Sequence, residues 1–377
     1  MGWNLFGRKK KRLPGEDVRA ANNAVSGAAP VQDTRAAIEE LSRVVKNDPE
    51  AVEIYLALGN LYRSQGEIER AIQIRNSLIV RPGLDSRFKA RALFELGRDF
   101  RRGGFLDRAR DAFRQAQEAG TDEGEILLEK AKLNAERGAY GEAAANYGHL
   151  GLPLPQAHYL YRHALDLFAD AENTRCVKAL RQAVKVYPGA FEAWSLLVVQ
   201  EFRSGHTSRM ASLLEDSMHS IEPGLRFVVL DELLADIRRA ATDADEAKYE
   251  KAVPTMEAVD AVIPVLEELD PDVLIFYYGA LFLNLRHEPD EARRWLEKAL
   301  VLTPDFWLAR LELFDMSRSR QSLTPFFKEQ LEFFMGRARN VRRFFCSRCG
   351  LKRDTIFHIC PRCGSWHSIT FRTEFSN

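Results

Sequence analysis

A spacing that returns about every 34 residues runs through most of this 377-residue chain. In each occurrence a turn-forming or small residue stands five positions before a residue that is usually alanine: Gly66–Ala71, Gly104–Ala109, Gly138–Ala143, Ala171–Cys176, Gly205–Met210 and His287–Ala292. The first five occurrences follow one another at intervals of 38, 34, 33 and 34 residues. A fixed period of this length predicts stacked copies of one small unit rather than a single large bundle.

The residues at fixed positions predict that each unit is a pair of antiparallel helices. Gly59, Gly97 and Gly279 remove the side chain where a first helix would approach its partner. Pro188 and Pro304 fall where second helices should end, because proline cannot continue a helix interior. A period near 34 residues with these features is typical of the tetratricopeptide repeat. We therefore predict an all-α fold, a tetratricopeptide-repeat α-solenoid of roughly seven repeats.

Residues 31–335 are assigned to this array, and residues 225–270 within it fit the pattern poorly, so we interpret them as a divergent repeat. The helical pattern continues after residue 305. This predicts a closing helix pair that covers the last apolar face of the array. We expect Phe333 and Phe334, near the end of that pair, to pack against the cysteine-rich segment that follows.

Four of the five cysteines form two Cys-x2-Cys pairs, at Cys346, Cys349, Cys360 and Cys363. Each pair places two thiolates on one tight turn, and two such turns make a tetrahedral site of four sulfurs that suits one Zn2+ or one rubredoxin-like Fe ion. The flanking segments are rich in β-branched and aromatic residues, which predicts short strands. Residues 336–377 are therefore predicted to form a small β-rich metal ribbon with four cysteine ligands, called the ribbon below. Two unrelated pairs or a redox dithiol are the alternatives.

The fifth cysteine and the residues around the predicted metal site have simpler interpretations. Cys176 falls in the small-residue slot of a second helix, so we expect a buried packing residue; a reactive thiol is the alternative. Four cysteines complete the coordination, so His358 and His367 are not expected to be ligands. Trp366 is expected to lie in a core or to anchor an interface rather than to offer a stacking platform.

The formal net charge is zero, but charge is unevenly distributed along the chain. The ribbon carries nine Lys/Arg and two Asp/Glu, and residues 8–12 read RKKKR. Such basic segments suit the phosphates of nucleic acid, an anionic membrane surface or the acidic array itself. Residues 1–30 are interpreted as a basic leader followed by a flexible linker, because residues 13–30 mix Pro, Gly, Ala and Asn without apolar periodicity.

The sequence argues against an enzyme. It contains no phosphate-binding loop, nucleophile elbow or HExxH pair, and a complete four-sulfur site leaves no open position for a catalytic water. Three classes remain: a protein-interaction scaffold, a nucleic-acid module that uses the basic ribbon, and electron transfer through an iron-loaded site. We find no secretory signal and no stretch long enough for a membrane helix, and paired cysteines fit a reducing compartment, so we expect a cytoplasmic protein.

The repeat register also predicts a partner-binding groove. In tetratricopeptide arrays the first helix of each repeat lines the concave face, which is the usual binding surface. Counted from the glycines at positions 59 and 97, four side chains should lie on this face and contact protein partners: Asn60, Arg63, Arg98 and Arg101. Ordinary solvated helix surface is the alternative for each of them.

Three segments together resemble the lipopolysaccharide assembly protein B family: LGNLYRSQGEIERAIQIRNSL, ELGRDFRRGGFLDRARDAF and the terminal CSRCG…CPRCGSW. The resemblance runs from residue 33 to residue 370. It implies a bacterial regulator of lipopolysaccharide synthesis that acts at the inner membrane as an adaptor. It also implies that the adaptor helps a membrane-bound AAA protease, FtsH, to degrade the deacetylase that commits carbon to lipid A. A rubredoxin-like ribbon packs on the repeats in that family, and by motif its metal ligands carry over to Cys346, Cys349, Cys360 and Cys363.

The chain departs from this family at its beginning. Typical members start with a transmembrane helix, whereas this chain starts MGWNLF followed by GRKKKR. We therefore expect no transmembrane helix, and weak contact of the leader with anionic lipid at the cytoplasmic face of the inner membrane, at roughly 1 kcal/mol per basic residue. A solvated tail and a shortened gene start are the alternatives. The implied partners are proteins, namely the protease and proteins of lipopolysaccharide synthesis, and nucleic acid is the less favoured partner.

Overall fold

The structure is a computed structural model, and it describes residues 31–47, 51–243, 255–318 and 321–374. The described residues fall into two compact units, one up to Leu133 and one from Asn134 onward. The leader predicted at residues 1–30 lies outside the described residues. Among the helices of the described ranges, none combines the length and the apolar character that a membrane span requires.

The N-terminal unit contains these helices among its described residues: α1 Val31–Asn47, α2 Val52–Ser64, α3 Ile68–Ile79, α4 Ser86–Arg102, α5 Leu106–Glu118 and α6 Glu123–Glu136, whose last three residues belong to the second unit. Helices α2 and α3 pack together as a pair, and so do α4 and α5. In the turns between them Gly66 and Gly104 have φ of +81° and +77°, which L side chains rarely adopt. The recurring glycine of the sequence pattern is therefore the residue that reverses the chain.

Glycines inside the first helices bring paired helices into contact. A Cβ built on Gly97 of α4 would lie 2.5 Å from the ring of Phe113 on α5. In the second unit, a Cβ on Gly279 would lie 2.1 Å from the ring of Trp295. Interiors are too densely packed to absorb such overlaps without a shift of the helices. The predicted close approach at these two glycines is confirmed.

The C-terminal unit contains, among its described residues, eleven further α-helices: α7 Tyr140–His149, α8 Pro153–Ala169, α9 Asn173–Val186, α10 Phe191–Arg203, α11 Thr207–Ser220, α12 Phe227–Asp243, α13 Thr255–Glu267, α14 Val273–Leu285, α15 Pro289–Leu302, α16 Trp307–Arg318 and α17 Pro325–Arg339. Helices α9 and α15 end two residues before Pro188 and Pro304, as predicted. The described parts of the poorly fitting segment 225–270 contain α12 and α13. Cys176 on α9 is 0% exposed, which confirms that it is a packing residue.

The ribbon contains three short strands, β1 Phe344–Cys346, β2 Lys352–Arg353 and β3 Ile369–Phe371. They form one antiparallel sheet in the order β2–β1–β3, with Phe344 opposite both Arg353 and Phe371. Helix pairs followed by a small C-terminal sheet confirm the predicted fold class. The division between array and ribbon after residue 335 stays a prediction, and α17 continues to Arg339.

The structure corrects one expectation at the end of the array. Phe333 and Phe334 are 56% and 65% exposed, and their rings contact each other with centroids 5.6 Å apart, so they do not form a core with the ribbon. The reason is the orientation of α17. Its one buried residue is Met335, and the two preceding positions of a helix cannot face the same side as that residue.

Candidate metal centre

Two backbone turns of the same form carry the four cysteines. In the first turn the N–H of Gly350 donates to the carbonyl of Cys346, and in the second the N–H of Gly364 donates to the carbonyl of Cys360, each at 2.9 Å. Gly350 and Gly364 have φ of +70° and +67°, a conformation that glycine adopts without strain. The glycine after each Cys-x2-Cys pair is therefore what allows the turn to close.

The four sulfur atoms converge on one point. Their Sγ atoms all lie within 4.8 Å of one another, with Cys346 to Cys363 at 3.7 Å and Cys349 to Cys360 at 3.6 Å. A tetrahedral site with metal–sulfur bonds of about 2.3 Å places its sulfurs about 3.8 Å apart, so this set fits one tetrahedral ion. All five cysteines of the chain lie in the described ranges and are free thiols. In those ranges this is the one cluster of three or more His, Cys, Asp or Glu with metal-site geometry.

Two buried serines support the sulfurs. The Ser368 hydroxyl lies 3.2 Å from the Sγ of Cys346, and the Ser365 hydroxyl lies 3.1 Å from the Sγ of Cys363. The hydrogen bond with Ser365 lowers the pKa of the Cys363 thiol to about 6. A lowered pKa favours the thiolate, which is the form that binds a metal.

The ribbon docks on the helices through an aromatic contact at its tip. Trp366 meets the edge of the His158 ring at 5.1 Å and of the Tyr159 ring at 6.1 Å, and both residues belong to α8. Trp366 therefore anchors an interface, as predicted. His358 lies beside it and contacts Tyr161 of α8 at 5.4 Å.

A buried carboxylate joins the ribbon to α8 and α10. Glu192 on α10 has a side chain that is 0% exposed, and it accepts hydrogen bonds from His158 at 3.1 Å and from His367 at 3.2 Å. Burial alone would raise the pKa of Glu192, but the bonds from the two histidines hold it well below its usual range. The carboxylate therefore stays charged, and it fixes His367 against the array. Burial lowers the pKa of the neighbouring His358 to about 4, so this ring is neutral at pH 7.

The sheet of the ribbon packs on α12. Phe344 stacks on Phe227 with ring centroids 5.7 Å apart, and Phe371 meets Phe227 edge-on at 5.4 Å. Arg343 lies 3.4 Å from the carboxylate of Asp231, also on α12. The ribbon thus rests on α8, α10 and α12, which are the first helices of successive pairs. This is the face that usually binds partners in repeat arrays, and the sequence did not predict that the ribbon would occupy it.

The four predicted groove residues lie in the N-terminal unit, and the structure joins them in one charge network. Asn60 and Arg63 are on α2. The Arg63 guanidinium pairs with Glu95 at 2.8 Å and with Asp99 at 2.7 Å, both buried on α4. It also donates to the Asn60 side-chain oxygen at 2.9 Å.

The other two predicted residues continue this network to α6. Arg98 pairs with Glu95 at 3.3 Å and lies 3.7 Å from Glu129, and Arg101 lies 3.2 Å from Glu129. Glu129 is on α6. Their role in binding partners stays a prediction, because each of these arginines already neutralises a buried carboxylate of the array.

Arg75 on α3 belongs to the same charge network, although the repeat pattern of the sequence did not predict a role for it. It is fully buried and donates to the Asn60 side chain at 2.6 Å and to the Leu56 carbonyl at 2.9 Å. A Cβ on Gly59 would lie 2.7 Å from its guanidinium carbon, so the absent side chain at Gly59 makes room for this arginine. The close approach predicted at Gly59 is confirmed, but it serves a charged side chain rather than an apolar one.

A family model described as tetratricopeptide repeat matches residues 31–81 and 94–148. The chain contains tetratricopeptide repeats. It is also 25% identical to lipopolysaccharide assembly protein B of Escherichia coli strain K12, over 88% of this chain and 84% of that protein. The protein of the same name in Haemophilus influenzae is 23% identical, over 84% of this chain and 78% of that protein.

The resemblance to lipopolysaccharide assembly protein B is therefore confirmed along most of the chain. Among solved structures, a tetratricopeptide repeat protein of Parabacteroides merdae is 16% identical and covers 71% of this chain and 98% of its own. Its TM-score of 0.35 is too low for any comparison of sites.

Proposed function

We propose that this chain is a non-enzymatic adaptor that brings proteins together in lipopolysaccharide biosynthesis. The observation that carries the proposal is its similarity, over 88% of its length, to proteins named for lipopolysaccharide assembly. The tetratricopeptide repeats support a role in protein interaction, because such arrays offer extended binding surfaces.

In its finer form, the proposal is that the chain promotes proteolysis of the lipid A pathway deacetylase by an FtsH-type protease. An adaptor needs two binding surfaces, one for each protein that it brings together. The ribbon, tied to three first helices by the Glu192 carboxylate and the Phe227 ring, supports the existence of one such surface. The first helices α2 and α4 of the N-terminal unit are the proposed second surface. Peripheral contact with the inner membrane through the leader is part of the same proposal.

We further propose that the ribbon holds one Zn2+ or Fe ion through Cys346, Cys349, Cys360 and Cys363. A segment this small rarely folds on its own apolar core, so a bound metal supplies folding energy on the order of 10 kcal/mol. The role assigned to the metal is structural. The cysteines provide the sulfur cage, and the buried serines orient two of them.

Cellular turnover of the deacetylase tests the adaptor proposal. Depletion of this chain should raise the deacetylase level and cause excess lipopolysaccharide. Cys360→Ser should behave like depletion, because the ribbon loses its metal. Cys176→Ala is the matched control, since alanine occupies the same slot in other repeats and this cysteine is no ligand. Unchanged deacetylase turnover after depletion would show that the assignment is wrong.

The groove proposal needs a variant that leaves the charge network intact. Charge reversal at Arg63 would place a third carboxylate beside Glu95 and Asp99, so it would unfold the unit. Arg98→Gln is milder, because Arg98 is 36% exposed and shares its acidic neighbours with other arginines. It should weaken partner capture while Arg114→Gln, on exposed α5 surface, should not. Equal capture by both variants would place the partner elsewhere.

Nucleic-acid binding is the alternative function, and the basic ribbon is the feature that favours it. Exposed Arg348, Arg353 and Arg362 could contact phosphates. The ribbon aromatics Phe344, Phe357 and Phe371 are buried, so they offer no stacking surface for bases. Salt-dependent binding of single-stranded DNA by the full chain would favour this alternative.

A further inference from the structure

The last helix of the array, α17, exposes an unusual amount of aromatic surface. Phe326, Phe327, Phe333 and Phe334 are 72%, 53%, 56% and 65% exposed. With about 200 Å² for a fully exposed phenylalanine, these rings offer roughly 500 Å² of apolar surface. A patch of this size is among the largest that folded monomers expose, and such patches are often functional.

The four rings lie on one side of α17. At 100° per residue, the four phenylalanines and Gln330 fall within an arc of about 120° whose centre is Gln330. Gln330 is exposed. The opposite side faces the array, where Met335 is buried and Arg339 pairs with Asp315 of α16 at 2.5 Å. We call the outward side the aromatic face.

The aromatic face is symmetric about its centre. The segment from Phe326 to Phe334 reads FFKEQLEFF, with a phenylalanine pair at each end and Gln330 in the middle. When two copies of one helix pack antiparallel around a twofold axis, residues equally far from the axis meet. An axis at Gln330 would place Phe326 against Phe334 of the other copy and Phe327 against its Phe333.

Gln330, the residue on the twofold axis, can lie directly opposite Gln330 of the second chain. A glutamine amide carries both donors and an acceptor, so two Gln330 side chains can bond to each other across the axis. A charged residue there would meet an equal charge. Two aromatic faces supply about 1,000 Å² of apolar surface, well over half of a standard interface of about 1,600 Å².

We propose that two copies of this chain associate through antiparallel α17 helices, with the twofold axis at Gln330. The charge on α17 disfavours a lipid surface as the occupant of this face. Glu329 and Glu332 offset two of the three basic residues of α17, Lys328 and Arg337, and the third, Arg339, pairs with Asp315 of α16. Helices that bind membranes instead carry an excess of unpaired basic residues. The proposal is independent of the adaptor function.

Sedimentation equilibrium of the full chain, from about 1 to 100 µM, tests the proposal. The wild-type chain should form dimers in this range. Gln330→Glu and Gln330→Lys should each weaken the dimer about tenfold or more, because equal charges meet on the axis. An equimolar mixture of the two variants should regain the wild-type affinity, since opposite charges now meet. Gln115→Glu, at an exposed position of α5, is the control and should dimerise like the wild type.

Three results would overturn the proposal. The first is a wild-type chain that stays monomeric throughout the range. The second is a Gln330→Glu chain that dimerises like the wild type, or a mixture of the charged variants that stays monomeric. The third is sedimentation of a monomeric chain with phosphatidylglycerol vesicles that is lost in the double variant Phe326→Ser, Phe334→Ser, because lipid would then occupy the aromatic face.

Discussion

The buried carboxylate of Glu192 should hold the ribbon against the array, and its replacement gives a sharp test. Glu192→Gln keeps the shape of the side chain but exchanges two charge-assisted hydrogen bonds, from His158 and His367, for neutral ones. Charge-assisted bonds contribute about 1.5–3 kcal/mol each and neutral ones about 0.5–1.5 kcal/mol, so the loss should be about 1–3 kcal/mol. Glu192→Ala also leaves both histidines without their acceptor and opens a cavity, so its loss should be about 3–5 kcal/mol.

Urea unfolding at pH 7, with metal content measured on the same samples, would check this prediction. Glu201→Gln is the matched control on the same helix. Its carboxylate also accepts from a histidine, His206 at 2.8 Å, but His206 is exposed, Glu201 is only partly buried, and neither residue belongs to the ribbon. Its replacement should cost less than about 1 kcal/mol. Equal stability of Glu192→Gln and Glu201→Gln would refute the claim that this carboxylate locks the ribbon.

Three further predictions concern packing, pH and metal. Gly279→Ala should destabilise the chain by about 1–3 kcal/mol in thermal unfolding, because its Cβ would overlap Trp295. Gly336→Ala, with nothing within 4 Å of its Cβ, should stabilise by up to about 1 kcal/mol. Burial lowers the pKa of His358 to about 4 in the folded chain. As the pH falls, this histidine is therefore protonated in the unfolded chain at a higher pH than in the folded chain. Stability should therefore drop by about 2 kcal/mol more between pH 7 and pH 5 in the wild type than in His358→Gln, as equilibrium unfolding would show. Cys349→Ser should lose the metal, read by elemental analysis, while most helical circular dichroism remains.

The features that the sequence predicted correctly follow from local rules. The turn glycine at position 66 and the small residue at Gly97 recur at a fixed period because every helix pair has the same geometry. The two cysteine turns were predictable because each Cys-x2-Cys pair and its following glycine form one turn, which needs no tertiary information. Tertiary contacts were harder to predict. Glu192 and His367 are 175 residues apart, and a lone acid in an apolar helix does not indicate its partner.

The charge network of the N-terminal unit was partly predictable from the sequence. Arg63 and Asp99 are 36 residues apart, close to one repeat, so the repeat register already brings them together. A search for opposite charges one period apart would have found this pair. The burial of Arg75 beneath Gly59 had no such signal, because glycine at that position predicted only a close helix approach.

The most direct test of the adaptor account is a reconstituted degradation assay. Purified protease in anionic lipid vesicles, purified deacetylase and this chain would be combined, and the loss of intact deacetylase would be followed over time. The account predicts that the wild-type chain and Cys176→Ala speed the loss, and that Cys360→Ser does not. A rate of deacetylase loss that is the same with and without the wild-type chain would contradict the account.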